Sequence, residues 1–365
     1  MSQTVRLFCI ILLARFVTSV WTDFDLVRPF YGAWGSEGII PYIKIDSRNN
    51  NGPNVTENAN FGFSMAVVGD LDGNGVDDVA VGATGESVFR DGSKMINAGG
   101  VYILFMLKNG TVDRSVRIGS MLNGGPLLST DDRFGYSIAA LGDLDGDSVP
   151  DIAVGAPGVI LSSVYILYLR ANGTAKARTL IRGPFAGTVP ANVSNPSIPV
   201  YVPNGPTIRY GSQLGYAVAA VGDMNGDGIT EIAASSIDQS GGLSRVYIMF
   251  MHRNGSVMNY TTIGSGIGGG PVLDRVFTGF GSALLMLPDF DGDGIAELVV
   301  GAKFLYDAGS ENVRAGKAFF CFMAANGTVK SSQEIGELGL GVDQPMPSLV
   351  RNVVNCAVFI CAYTV

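Results

Sequence analysis

Charge, histidine and cysteine are all scarce in this chain of 365 residues. Lys, Arg, Asp and Glu together make up only 15%, with 24 basic residues against 32 acidic ones, so no basic stripe is available for nucleic acid. One histidine, His252, stands beside a turn, and neither H-E-x-x-H nor a Cys–His pairing can be assembled. The cysteines number four, and Cys9, Cys321, Cys356 and Cys361 are too scattered to form a disulfide framework. G-x-S-x-G is absent, and Gly264, Gly266 and Gly269 satisfy G-x-G-x-x-G only as a loop, since Pro271 follows and no helix opens. No catalytic residue emerges, and the chain is expected not to be an enzyme. Long hydrophobic runs are missing too: none reaches the ~18–20 residues of a spanning helix.

What is abundant is short apolar segments. Hydrophobic residues reach 47% and glycine 50 positions, with a mean hydropathy of +0.30. Many brief apolar runs separated by glycine turns, without a helical period, indicate an all-β, turn-rich chain whose strands are buried on both faces. The N-terminal stretch has Arg6, an apolar core from Leu7 to Ala14, and small residues Val17 and Ser19, the pattern of a secretory signal peptide over 1–19.

The chain repeats itself. "FGFSMAVVGDLDGNGVDDVAVGA" at Phe61 is echoed at Phe134, Leu214 and Phe280, and the first loop aspartates Asp70, Asp143, Asp223 and Asp289 are 73, 80 and 66 residues apart. Each block continues into an apolar strand, an Asn-Gly turn and a strand ending in Ile, which gives four antiparallel strands per repeat. Such units arranged radially make a β-propeller. The expected organisation is a signal peptide, an N-terminal segment 20–60 with a lead-in strand in "IIPYIKI" (39–45), repeats over 61–340, and a divergent C-terminal segment 341–365.

Each block carries an acidic loop. Oxygen ligands at alternate positions, closed by a carboxylate at the ninth, are how a chain wraps Ca²⁺, up to four ions here. The side chains are Asp70, Asp72, Asn74 and Asp78; Asp143, Asp145, Asp147 and Asp151; Asp223, Asn225, Asp227 and Glu231; and Asp289, Asp291, Asp293 and Glu297. An EF-hand is excluded because its twelfth position needs Glu, where this chain has Val81, Val154, Ala234 and Val300. These sixteen ligands carry fourteen negative charges against a net formal charge of −8, so acidity belongs to the loops and not to the surface. By carboxylate count the loops at Asp143 and Asp289 should bind more tightly than that at Asp223, while Ser148, in place of a loop glycine, should strain the second site.

The sequence Phe-Gly, Gly-Asp, acidic loop, Val-Gly-Ala-Pro resembles the FG-GAP repeats of integrin α-chain propellers. Block two matches best; block three departs, with Leu214 for Phe and Ala234-Ser235-Ser236 for Gly-Ala-Pro. The resemblance implies a backbone carbonyl ligand at the seventh position: Val76, Val149, Ile229 and Ile295. It also implies a secreted or cell-surface adhesion module that binds an extracellular protein or glycan through the face opposite the calcium loops. The alternative is a non-catalytic accessory propeller of an extracellular hydrolase, such as an FG-GAP-bearing phospholipase. That opposite face should carry the long segments 84–99, 182–213 and 303–316. Seven sequons occur; four fall on Asn-Gly turns, where both residues are expected at positive φ, leaving Asn54, Asn192 and Asn259 as the glycosylation candidates.

Overall fold

The computed structural model describes residues 43–46, 49–158, 162–183, 185–186, 205–209, 211–238, 244–273, 278–303 and 316–335. The leader, the C-terminal segment, Asn192 and most of 303–316 lie outside the described residues. Every regular element described is a strand: β1 (Phe61–Gly69), β2 (Asp78–Ala83), β3 (Val88–Arg90), β4 (Ser93–Met95), β5 (Gly100–Met106) and β6 (Val112–Ile118) come first. Then follow β7 (Ser137–Gly142), β8 (Asp151–Ala156), β9 (Ser163–Leu169), β10 (Ala175–Ile181), β11 (Phe185–Ala186) and β12 (Ile208–Arg209). The series ends with β13 (Ser212–Gly222), β14 (Glu231–Asp238), β15 (Arg245–Met251), β16 (Val257–Ile263), β17 (Phe280–Leu287), β18 (Glu297–Ala302), β19 (Lys317–Met323) and β20 (Val329–Ile335).

Four four-stranded antiparallel meanders result, β1-β2-β5-β6, β7-β8-β9-β10, β13-β14-β15-β16 and β17-β18-β19-β20. They are the blades of a β-propeller. Second and third strands are largely buried, and β8 and β9 throughout, because a neighbouring blade covers each face of the second blade. Fourth strands are more open: β10 buries its ends and exposes its middle. Two features exceed the expected meander. The loop 84–99 folds into the hairpin β3–β4, and β11 pairs in parallel with β12. Residues 43–45 carry no ladder of their own; Ile45 is buried and Ile43 half-buried against the first blade. The lead-in strand expected over 39–45 is therefore absent from that part.

The Phe-Gly and Gly-Ala signatures meet at the blade-to-blade contact. Gly135 and Gly215 have φ of 89° and 82°, which turns their carbonyls toward the preceding blade. A Cβ built on Gly82 or Gly155 would stand 2.0 Å from the carbonyl oxygen of Gly135 or Gly215. Only glycine fits there. The same carbonyls accept hydrogen bonds from Ser64 Oγ at 2.7 Å and Ser137 Oγ at 2.8 Å.

The third blade solves the contact differently. Ala217 replaces the first-strand serine, and the strand register puts Ser235, not Ala234 as expected from the sequence, in place of the second-strand glycine, so a hydroxyl enters the same gap from the other strand. Ala217 N–H donates to Ser235 Oγ at 2.9 Å, and a Cβ on Gly281 would meet Ser235 Cβ at 2.7 Å. The departure of block three is thus a paired exchange. The signature Phe134, Phe280 and the substituting Leu214 are fully buried; the two phenylalanines pack on Tyr165 and Phe319 of their own blades, with centroids 5.5 and 6.0 Å apart.

Candidate metal centres

Each acidic loop joins the first two strands of a blade and is pinned by an apolar second residue. Leu71, Leu144 and Met224 are buried in the core beneath, with Phe290 in the fourth loop packed on Phe320. The first aspartate organises the loop backbone. Asp143 Oδ1 accepts from the N–H groups of Gly146 and Asp147 at 2.7 and 2.9 Å, and Oδ2 from Ser148 at 2.7 Å. Asp70, Asp223 and Asp289 do the same work in their loops. The sixth position needs a left-handed residue; Ser148 adopts φ 71° where Gly75, Gly228 and Gly294 stand at 81°, 78° and 88°.

The ninth-position carboxylates are fully buried; Asp78, Asp151 and Glu297 tie the loop to the third strand, while Glu231 bonds Met224 N–H and Asn225 within its own loop. Asp78 accepts from Leu71 N–H at 3.0 Å and Met106 N–H at 2.8 Å; Asp151 from Leu144 at 3.0 Å and Leu169 at 2.9 Å. Glu297 accepts from Met323 N–H at 2.8 Å. Burial pushes Asp151 up to about 6 and Glu231 up to about 7, and neighbouring loop carboxylates add to the rise. Burial also raises Asp78 and Glu297. Backbone N–H groups pull each of the four the other way.

Four carboxylate triads converge, with ligand atoms within 4.8 Å of one another: Asp70, Asp72 and Asp78; Asp143, Asp145 and Asp151; Asp223, Asp227 and Glu231; Asp289, Asp291 and Glu297. Fifth-position side chains turn partly to their own loop. Asn74, Asp147, Asp227 and Asp293 each accept from the N–H of the seventh residue, Val76, Val149, Ile229 and Ile295, at 2.8 to 3.0 Å. Asp147 and Asp293 stand outside their triads.

The donor set fits a hard cation. It consists of oxygens, and crowding around a buried carboxylate makes positive charge favourable. Cationic side chains already respond to that field. Lys176 Nζ lies 2.9 Å from Asp145 Oδ2 and also bonds Asp147; Lys330 Nζ lies 2.5 Å from Asp291 and 2.6 Å from Asp293. Arg114 Nη1 reaches Asp72 at 2.9 Å. In the third loop the donor is Asn225 Nδ2, 3.0 Å from Asp227 and 3.3 Å from Glu231. These four loops could therefore each hold a metal ion.

A second cluster lies at the other end of the first strands. The residue after each Phe-Gly, or Leu-Gly in the third block, is Phe63, Tyr136, Tyr216 and Ser282. Phe63 and Tyr136 have centroids 4.5 Å apart, Tyr136 and Tyr216 4.8 Å, and Lys303 Nζ sits 4.9 Å from the Tyr216 ring centre. Phe63 remains 46% exposed. Seven residues of strand, about 23 Å at 3.3 Å per residue, separate this row from the acidic loops. Sequence reasoning missed it, although an aromatic after Phe-Gly in three successive blocks was the available signal.

The remaining expectations resolve simply. His252 is exposed, and its N–H donates to Ser256 O at 2.9 Å across the hairpin turn. Gly264, Gly266 and Gly269 lie in an inter-blade turn, with Gly264 bridged to Ile267. In the Asn-Gly turns only the glycines, Gly110, Gly173, Gly255 and Gly327, have positive φ, which corrects the expectation for both residues. The asparagines are there for their side chains. Asn109, Asn172, Asn254 and Asn326 each accept from the N–H and hydroxyl of the Thr or Ser two residues on, at 2.7 to 3.1 Å. Asn54 and Asn259 are exposed. Among the described residues no helix is long and apolar enough to cross a membrane.

Comparison with known proteins agrees with this geometry. The FG-GAP repeat family matches residues 61–104, 134–167 and 280–317. Human integrin alpha-6 is 35% identical over 126 residues, 34% of this chain and 10% of that protein. Human integrin alpha-E is 34% identical over 148 residues, 38% of this chain and 12% of that protein. Mouse integrin alpha-2 is 33% identical over 110 residues, 30% of this chain and 9% of that protein. The match spans about a tenth of the length of these relatives. The chain carries FG-GAP repeats and resembles the integrin α-chain propeller.

Proposed function

We propose that this chain is a secreted or cell-surface, calcium-binding propeller of the integrin α kind, without catalytic function. In this reading it engages an extracellular protein or glycan through the face opposite its acidic loops. The carrying observation is the fourfold convergence of carboxylates within 4.8 Å at one end of the blades. Ca²⁺ takes six to eight oxygens in flexible geometry, which suits loops supplying several carboxylates; Mg²⁺ keeps its waters and rarely sits in an all-protein cage. Asp145, Asp291 and their loop partners would hold the ion, which would supply the positive charge that fixes each loop against the third strand.

The opposite end supports ligand recognition. The row Phe63, Tyr136 and Tyr216 presents aromatic faces, which attract cations, and Lys303 Nζ bonds the Tyr216 hydroxyl at its end. On the same side the hairpin β3–β4 holds out Phe89, 78% exposed. Arrayed extracellular-matrix proteins and glycans, probed with the full chain in calcium and in chelator, test the reading. Binding should require calcium and should weaken by about tenfold or more in Phe63→Ala or Tyr216→Ala, with thermal stability checked alongside. Binding that survives both substitutions and chelation would refute it.

A further inference from the structure

Aligned on the Asn-Gly turns, the fourth residue after the asparagine is Asp113, Lys176, Met258 and Lys330 in the successive blades. This position opens the fourth strand and stands beside the acidic loop of its own blade. In the second and fourth blades its ammonium bridges the third and fifth loop positions: Lys176 between Asp145 and Asp147, Lys330 between Asp291 and Asp293. In the first blade Asp113 occupies it, and the next residue, Arg114, bonds both Asp113 at 3.2 Å and Asp72 at 2.9 Å, with its guanidinium 3.6 Å over the Phe105 ring. In the third blade the side chain is Met258, and the only donor bridging the third and fifth positions among the described residues is the loop's own Asn225.

The lysines stand beside the two loops whose four side-chain ligands are all carboxylates, Asp143 to Asp151 and Asp289 to Glu297. One ammonium brings each to the same net charge as the third loop, which has three carboxylates and no lysine. We infer that Lys176 and Lys330 are tethered counter-ions that compete with the metal for the third and fifth loop positions. Carboxylate count alone therefore misranks the sites, and the third loop holds its ion at least as tightly as the second and fourth. The inference rests on the calcium reading of the loops.

A divalent ion entering the second or fourth loop must displace an ammonium from two carboxylates. At an exposed site such a pair weakens competing binding by about threefold to tenfold. With the lysine in place, the empty loop keeps the charge at its third and fifth positions partly compensated. In the third blade no lysine or arginine bonds the loop carboxylates among the described residues; Arg253 stands only against the loop backbone, its Nη2 3.9 Å from where a Cβ on Gly228 would lie.

The test is calcium titration calorimetry on the full chain, comparing wild type with Lys176→Met, Lys330→Met and the reciprocal Met258→Lys. Methionine is the residue the third blade already carries there, and circular dichroism checks each fold. Either lysine variant should tighten one site about threefold to tenfold, and Met258→Lys should weaken one by a similar factor. Unchanged affinities in all three variants, with ions still bound, would overturn the counter-ion role and leave the calcium reading standing. A wild-type chain that binds no calcium would overturn both. If a lysine variant misfolds, Met258→Lys decides alone.

Discussion

At the scale of single residues, the second acidic loop contains a conflict between conformation and side chain. Its sixth position must be left-handed so that the N–H groups of residues 146 to 148 converge on Asp143. Ser148 meets the demand at φ 71°, a region where a Cβ crowds its own backbone. The other loops use glycine. Ser148→Gly should therefore stabilise the protein by about 0.5–1 kcal/mol, the strain relieved outweighing the added freedom of the unfolded chain. Denaturant unfolding of the two proteins measures this, and a destabilised variant would mean that Ser148 is held by something other than the backbone geometry. The position is legible from sequence because three of the four repeats show what the fourth ought to be. The asparagines of the hairpin turns were read less well. Asn-Gly suggests paired positive φ, whereas Asn109 and its equivalents serve as acceptors for a following hydroxyl. That role depends on the Thr or Ser two residues later, so the dipeptide alone could not reveal it.

At the scale of elements, blades are held together where the second strand of one meets the first strand of the next. Gly155 leaves room for the Gly215 carbonyl, and Ser137 donates to the same oxygen. Gly155→Ala places a methyl group 2.0 Å from that oxygen, so the blades must separate or the strand must bend. The expected cost is about 2–4 kcal/mol, in the range of severe core overpacking, and a loss of cooperativity between blades two and three. The third blade offers the control. Ser235→Gly alone should lose the hydroxyl that Ala217 N–H uses, whereas Ser235→Gly combined with Ala217→Ser rebuilds the arrangement of the second blade. Thermal melts should show the double variant closer to wild type than the single one; additive losses would contradict the exchange. Strand order and most strand limits were visible in the sequence because every blade repeats the same apolar runs. The hairpin β3–β4 was not, since among the described residues it occurs in one blade and Val88–Arg90 has no counterpart to align with. The aromatic row and the strand-opening lysines were overlooked for another reason. Phe63, Tyr136 and Tyr216 lie about 75 residues apart in sequence, and Lys176 lies about 30 residues from its loop; propeller geometry alone brings each set together.

At the scale of the whole molecule, the four acidic loops all open at one end of the stack, and each buries one carboxylate completely. Folding therefore concentrates negative charge that the unfolded chain disperses, and this cost falls on every blade at once. Ligand binding to the native state alone stabilises it by RT ln(1 + [L]/Kd). With affinities of about 10⁻⁴ to 10⁻³ M, the range of extracellular modules, roughly 10 mM calcium contributes about 1.4 to 2.7 kcal/mol per filled loop. Ions would also clamp the first, second and fourth loops to their third strands through Asp78, Asp151 and Glu297. Removing calcium with a chelator should lower the unfolding midpoint by on the order of 10 °C, and restoring it should reverse the change. The loss should not be uniform. Blades two and four retain Lys176 and Lys330 bonded to their carboxylates, whereas among the described residues no cationic side chain bonds those of blade three, where Arg253 stands only against the loop backbone at Gly228. Hydrogen exchange in chelator should then report the earliest loss of protection around residues 222–231 and 251–258, ahead of the corresponding segments of the second blade. Uniform protection in all four blades, or a midpoint indifferent to calcium, would show that the carboxylates are accommodated without an ion.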